Sequence, residues 1–149
     1  TLYPNPNNGT FTVQFDSESS NDVKIVVFDL RGREVFSKSF NNSLFLLNLE
    51  NFPNLFYLSC DNNSLSSLDL TSNINLKYLS CSNNNLSLLN VNHLLQLKEL
   101  NCKNCGLSSL NLIGMNNLTK LDCSENLINN LNLNNYPLLQ TYTPTSQQT

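Results

Sequence analysis

The residues of this 149-residue chain best equipped for chemistry are its five cysteines. Cys102 and Cys105 spell C-x-x-C, the spacing of a redox pair or of half a zinc site. Cys60, Cys81, Cys102 and Cys123, however, recur at intervals of 21 residues. A fixed period over four cysteines describes equivalent positions in successive units better than ligands converging on one point. On that register Cys102 is a core residue, and Cys105 takes a turn position held by Asn in the other units. His93 is the one imidazole that could complete a metal site, and it falls in a linker between units, where an exposed surface histidine is expected. The column cysteines should be buried, reduced and structural, with no metal and no cofactor.

No other constellation points to catalysis. A base or a pair of carboxylates converging on one pocket is not discernible, and there is no Gly-rich phosphate loop, Walker motif or calcium loop. Asp61 and Asn62 adjoin but lack calcium-loop spacing. The expectation is a protein that is not an enzyme and has no catalytic residue.

The elements that position these residues announce themselves in the composition. The chain holds 30 Leu and 29 Asn but no Ala and no Trp. Lacking the best helix former and rich in a residue that competes for backbone hydrogen bonds, it does not read as a helical bundle. Only six Lys accompany the Asn, so biased base composition is a poor explanation and a structural use of Asn a better one. At the 21-residue period Leu55, Leu76, Leu97, Leu118 and Leu139 form one column, and Leu58, Leu79, Leu100 and Leu121 another. Leu65, Leu86, Leu107 and Ile128 follow, then Leu68, Leu89, Leu110 and Leu131, then Leu70, Val91, Leu112 and Leu133. A polar column, Asn63, Asn84, Cys105 and Asn126, completes the unit.

Each unit reads L-x-x-L-x-C-x-x-N-x-L-x-x-L-x-L with a five-residue linker, as in LKYLSCSNNNLSLLNV. It resembles the leucine-rich repeat, in the short type with a Cys column found in internalin-like bacterial surface proteins. The physics agrees. The alternation around the second Leu makes a strand, and stacked strands make a parallel sheet with continuous inward columns. Cys60, Cys81, Cys102 and Cys123 line the core, while the Asn column amides bond the backbone where the chain leaves the strand. About a dozen residues remain for the return path, too few and too poor in helix formers for an α-helix, so extended or 3₁₀ backbone is expected.

Residues 1–41 lack the period and carry two strand-like runs, YPNPNNGTFTVQF and VKIVVFDLRGREVFSKSF, punctuated by Pro, Asn and Gly. The phrases YPNP-x-x-G-x-F and V-x-I-x-V-F-D-x-x-G-R-E-V resemble the C-terminal sorting domain of the type IX secretion system of didermal bacteria, through Pro4, Asn5, Pro6, Gly9, Asp29 and Gly32. The closing phrase of that family, L-P-x-G-x-Y, is approximated without its Gly by NFPNLFYLSC at residues 51–60. The sorting-like β module is therefore assigned to 1–41, with an alternative end near 58. Residues 42–142 are assigned to repeats: a half unit carrying Asn42, Leu44, Leu47 and Leu49, four full units and a partial one. Residues 143–149 form a tail. The fold class expected is mainly β, a leucine-rich repeat solenoid capped by a small β-sandwich-like module.

Function is expected on the open face of the solenoid sheet, the concave one. Positions flanking the core Leu project outward, in rows Phe56, Lys77, Lys98, Thr119; Tyr57, Tyr78, Glu99, Lys120; and Ser59, Ser80, Asn101, Asp122. Aromatics gather at one end and mixed charge at the other, as in a protein-binding hot spot. Phe56 and Tyr57 serve equally well as cover for the joint with the first module. The partner-binding candidates are Tyr57, Tyr78, Lys77, Lys98, Glu99 and Lys120.

A net charge of -3 and the absence of a basic run exclude nucleic acid as the main partner, and no apolar run approaches a membrane span. Beginning at Thr1 without initiator Met or signal peptide, the chain reads as a mature segment or fragment. With the two resemblances, the expectation is a secreted or cell-surface binding or adhesion module, a monomer or part of a longer array, directed at protein or glycan on a host or bacterial surface. The alternative makes the first module a sorting or attachment segment with the repeats as passenger.

Overall fold

A computed structural model of the chain describes residues 12–16, 22–28, 34–41, 49–50 and 52–143. The Pro4, Asn5, Pro6, Gly9, Asp29 and Gly32 positions of the sorting-domain phrases lie outside them, as do Asn42, Leu44 and Leu47. Among the described residues eight strands are present: β1 Thr12–Asp16, β2 Asp22–Phe28, β3 Glu34–Asn41, β4 Tyr57–Ser59, β5 Tyr78–Ser80, β6 Glu99–Asn101, β7 Lys120–Asp122 and β8 Thr141–Thr143. They form one sheet in the order β3-β2-β1-β4-β5-β6-β7-β8.

The sheet changes character at β1. From β3 to β1 the pairing is antiparallel, with one irregularity at Val27 and Phe28. β1 then runs parallel to β4, Val13 facing Leu58, so the antiparallel strands and the repeat strands meet edge to edge. From β4 to β8 every partner lies 21 residues further on, Leu58 facing Leu79, Leu79 facing Leu100 and Leu100 facing Leu121. The second layer that a sandwich would add is absent among the described residues.

Each repeat strand is three residues long because only its central Leu points inward, and the chain turns as soon as the next inward residue, Cys, is placed. Leu58, Leu79, Leu100 and Leu121 are buried, as are the four column cysteines. Fully burying one such Leu contributes about 1.5–3 kcal/mol, which the stacking of several coils repeats along each column.

The return path is extended chain broken by paired i to i+3 turns, the hydrogen-bond pattern of a single 3₁₀ turn. Leu94 N donates to Val91 O at 2.9 Å and Leu97 N to Leu94 O at 2.9 Å; Asn73 and Met115 repeat the arrangement. The pivot between two such turns is carried inward, which creates a further core column: Phe52, Asn73, Leu94, Met115 and Tyr136. Asn73 is completely buried within it, and its amide donates to Leu49 O at 3.1 Å and Phe52 O at 2.9 Å, fastening the first full unit to the residues before it.

The two ends of the solenoid differ. Leu49, Leu55 and Leu58 of the first coil are as buried as any residue in the middle. At the other end Leu131, Leu133, Tyr136 and Leu139 are only partly covered.

Candidate binding face and the ladders beneath it

The turn column sits where the chain leaves each strand. Asn84 donates to Cys60 O at 2.9 Å, Cys81 O at 2.9 Å and Ser82 O at 3.2 Å, and accepts from Leu65 N at 3.0 Å. Asn126 donates to Cys102 O, Cys123 O and Ser124 O and accepts from Leu107 N and Cys105 N. One primary amide thus satisfies backbone groups in two coils at once, the use that its two donors and its acceptor oxygen allow. Asn63, half-buried, donates to Cys60 O and Asp61 O, both at 3.0 Å. Cys105 stands in the same column with a single donor, its thiol reaching Cys81 O at 3.0 Å.

A second polar column, unforeseen from the sequence, runs beside the first. Asn62, Asn83, Asn104 and Glu125 all have φ between 51° and 57°, the left-handed region that Asn tolerates better than most residues. Asn104 donates to Asn83 Oδ1 at 3.0 Å and Asn83 to Asn62 Oδ1 at 2.8 Å, so the exposed edge carries its own amide ladder. Glu125 closes the row with an ion pair to Lys103 at 3.0 Å. The recurrence of Asn at this period was the available signal.

All five cysteines are free thiols and all are buried. Burial pushes the Cys60 and Cys102 thiols well above their ordinary range, and the adjacent Cys105 thiol together with burial does so for Cys81. Among the described residues no group of three or more His, Cys, Asp and Glu could hold a metal ion. His93 departs from the exposed linker position expected of it. It is half-buried, with Nε2 3.0 Å from Leu70 O, so it ties its coil to the preceding one.

On the outer face of the sheet Phe56, Tyr57 and Tyr78 form one aromatic cluster, Tyr78 lying 5.2 Å from the Phe56 ring and 6.1 Å from that of Tyr57. Lys77 Nζ lies 5.0 Å from the Phe56 ring centre, a cation over an aromatic face. Lys120 and Glu99 pair at 2.8 Å on neighbouring strands, and Lys98 is exposed. Tyr57, Tyr78, Glu99 and Lys120 line one shallow pocket of about 370 Å³; Lys77 and Lys98 lie outside its lining. Asp61, dismissed as a calcium ligand, is a structural node: its Oδ1 accepts from Ser80 Oγ, Ser82 Oγ and Ser82 N at 2.6–2.7 Å.

The fold is a leucine-rich repeat solenoid with a cysteine column. Residues 1–69 match the family described as the secretion system C-terminal sorting domain. Among solved structures, the functional domain of InlJ from Listeria monocytogenes, described as including a cysteine ladder, is similar with a TM-score of 0.64 and 31% identity. That similarity covers 65% of this chain and 22% of that one, so the chain spans about a fifth of the length of the protein it matches. A search of curated proteins found no match. The chain is accordingly secreted or carried at the cell surface, with a leucine-rich repeat solenoid and a segment similar to the secretion system C-terminal sorting domain. The described residues contain no helix long and apolar enough to cross a membrane.

Proposed function

We propose that the protein is a binding or adhesion module, without catalytic activity, that engages protein or glycan on a host or bacterial surface through the outer face of its repeat sheet. The carrying observation is the aromatic cluster of Phe56, Tyr57 and Tyr78, presented on strands whose opposite face is locked into the core. Amphipathic tyrosines on a rigid backbone lose little entropy on contact, which favours their use as anchors. Tyr57, Tyr78, Lys77, Lys98, Glu99 and Lys120 are the residues we assign to the contact. We also propose that the sorting-type module ends at residue 41, a reading supported by the end of β3 there.

The reading is tested by capture from host and bacterial surface fractions with the full chain, in parallel with a Tyr78→Ala, Lys98→Ala variant. A component retained by the first and lost by the second supports it; equal retention by both refutes it. The alternative, a sorting or attachment segment carrying the repeats as passenger, is favoured by the match over residues 1–69. It requires that export fail when 1–41 are deleted and that the face variant have no phenotype.

A further inference from the structure

The pocket on the sheet face has a chemistry of its own. Its floor, Leu79, Leu100 and Leu121, is at most 2% exposed and offers a ligand almost no apolar area. What it offers instead is the tyrosine platform at one side and, two residues along the neighbouring strands, the row of Ser80, Asn101 and Asp122. Among the described residues neither tyrosine hydroxyl has a hydrogen-bond partner. Asn101 uses its Oδ1 to accept from Lys103 N at 3.2 Å, leaving its NH2 group open. Asp122 uses its Oδ1 to accept from Ser124 N and Ser124 Oγ at 3.0 and 2.7 Å, leaving Oδ2 open. Both side chains are thereby held in place while one polar end of each faces outward.

Charge narrows the partner further. Lys120 is taken up by Glu99 and Lys103 by Glu125, so neither ammonium is free for a carboxylate or sulfate. Among the described residues that line the pocket, the charge without an ion-pair partner is the negative one on Asp122, which repels anions. An unused amide donor and an unused carboxylate acceptor on adjacent strands, about 4.8 Å apart, suit groups that both give and accept hydrogen bonds. Hydroxyls are such groups. The aromatic face beside them suits a flat, weakly polar ring face rather than a long apolar side chain, for which the floor provides no hole. A volume of about 370 Å³ is at the low end for small-ligand sites.

We propose that this pocket binds a neutral glycan, with the apolar face of a sugar ring on Tyr78 and its hydroxyls held between the Asn101 amide and the Asp122 carboxylate. The proposal rests on the reading of this face as the binding surface and names the chemistry of the partner. It ascribes no reaction to the site.

The test titrates the full chain with neutral tetrasaccharides of glucose, mannose and N-acetylglucosamine, and with tetragalacturonate and a heparin-derived tetrasaccharide as anionic probes. Tyrosine fluorescence and amide chemical shifts are the readouts. We expect saturable binding of at least one neutral probe, shifts confined to β4–β7, and no binding of the anionic ones. Tyr78→Ala and Asp122→Asn should each weaken that binding about tenfold or more, with unfolding midpoints near wild type. Ser124→Ala separates loss of a ligand from loss of fold, because it loosens Asp122 without removing its carboxylate. Failure of every neutral probe, tighter binding of an anionic one, or an unaffected Tyr78→Ala variant overturns the proposal. If, alongside such a failure, a protein is still captured through Tyr78 and Lys98, the binding function stands and only its assignment to glycan falls.

Discussion

The Cys105 thiol donates to the Cys81 carbonyl at 3.0 Å, reproducing one bond of the amide that stands in its place in the other coils, Asn84 to Cys60 O at 2.9 Å and Asn126 to Cys102 O at 2.8 Å. A second bond is matched only at length, the thiol lying 3.5 Å from Lys103 O where Asn84 and Asn126 bond Ser82 O and Ser124 O at 3.2 Å. Asn84 and Asn126 also accept the N–H of Leu65 and Leu107, whereas the corresponding N–H of Leu86 meets no amide oxygen. The backbone is adjusted nearby: Ser87 takes φ 56° and donates to Cys105 O at 3.1 Å. Cys105→Asn should therefore raise stability by about 0.5–1.5 kcal/mol by completing the ladder. A urea midpoint lower than wild type would show that the surrounding turn has adapted to sulfur and rejects the amide.

Asn84→Ala should destabilise the fold by about 1–3 kcal/mol, because it strands the buried N–H of Leu65 and takes one of two donors from the carbonyls of Cys60 and Cys81. Asn85→Ala, at the next and exposed position, should cost far less. The check is a pair of urea curves, and equal shifts would remove the column from its structural role.

The edge row makes a separate demand. Asn83 combines φ 54° with a side chain bonded to Asn62 on one side and Asn104 on the other. A β-branched residue is strained in that backbone, so Asn83→Val should cost about 1–2 kcal/mol. Asn83→Gly, which accepts the conformation freely but loses two exposed hydrogen bonds, should stay within about 1 kcal/mol of wild type. Thermal midpoints in the reverse order would contradict the left-handed assignment.

Much of this architecture was legible in the residues because a solenoid repeats its constraints: columns of Leu and Cys could be read at a constant offset. The column of Phe52, Asn73, Leu94, Met115 and Tyr136 escaped because its side chains differ in size and polarity and share only an inward backbone position between two turns. The Asn62, Asn83 and Asn104 row escaped although its residue type recurs, since left-handed φ is a property of the turn and not of the hydrophobic pattern. The parallel pairing of β1 with β4 joins segments with no common period, and pairing of that kind is set by tertiary packing. In the candidate site the tyrosines and charges were visible as rows; which charges neutralise each other, and which polar ends remain open, depends on rotamers that the sequence does not contain.

The buried thiols link stability to pH. Cys60, Cys81 and Cys102 are held above the ordinary thiol range in the fold, whereas in the unfolded chain they ionise near pH 8.5. Below that pH both states keep the protons and the stability is fully present. Above it the unfolded state sheds protons that the native state keeps, so stability falls, by up to ~1.4 kcal/mol per pH unit for each thiol. Urea midpoints at pH 7 and pH 10 should show this fall, reduced in a Cys60→Ser variant relative to its own pH 7 value. At pH 8 a thiol reagent should label the column cysteines only as fast as the protein opens. Rapid labelling of all five in folded protein would contradict the inward columns.

The most direct test of the central claim, that the outer face of the repeat sheet is a binding surface and not a covered joint, compares two double variants against a captured partner. Tyr78→Ala with Lys98→Ala removes an aromatic anchor and an exposed cation from the face, while Ser72→Ala with Asn92→Ala alters the linker side of the solenoid. The first pair is expected to lower affinity at least about tenfold with an unfolding midpoint within about 1 kcal/mol of wild type. The second is expected to leave affinity unchanged. Equal weakening by both pairs, or unfolding by the first, would contradict the claim and return the aromatic cluster to a structural role at the junction of the two modules.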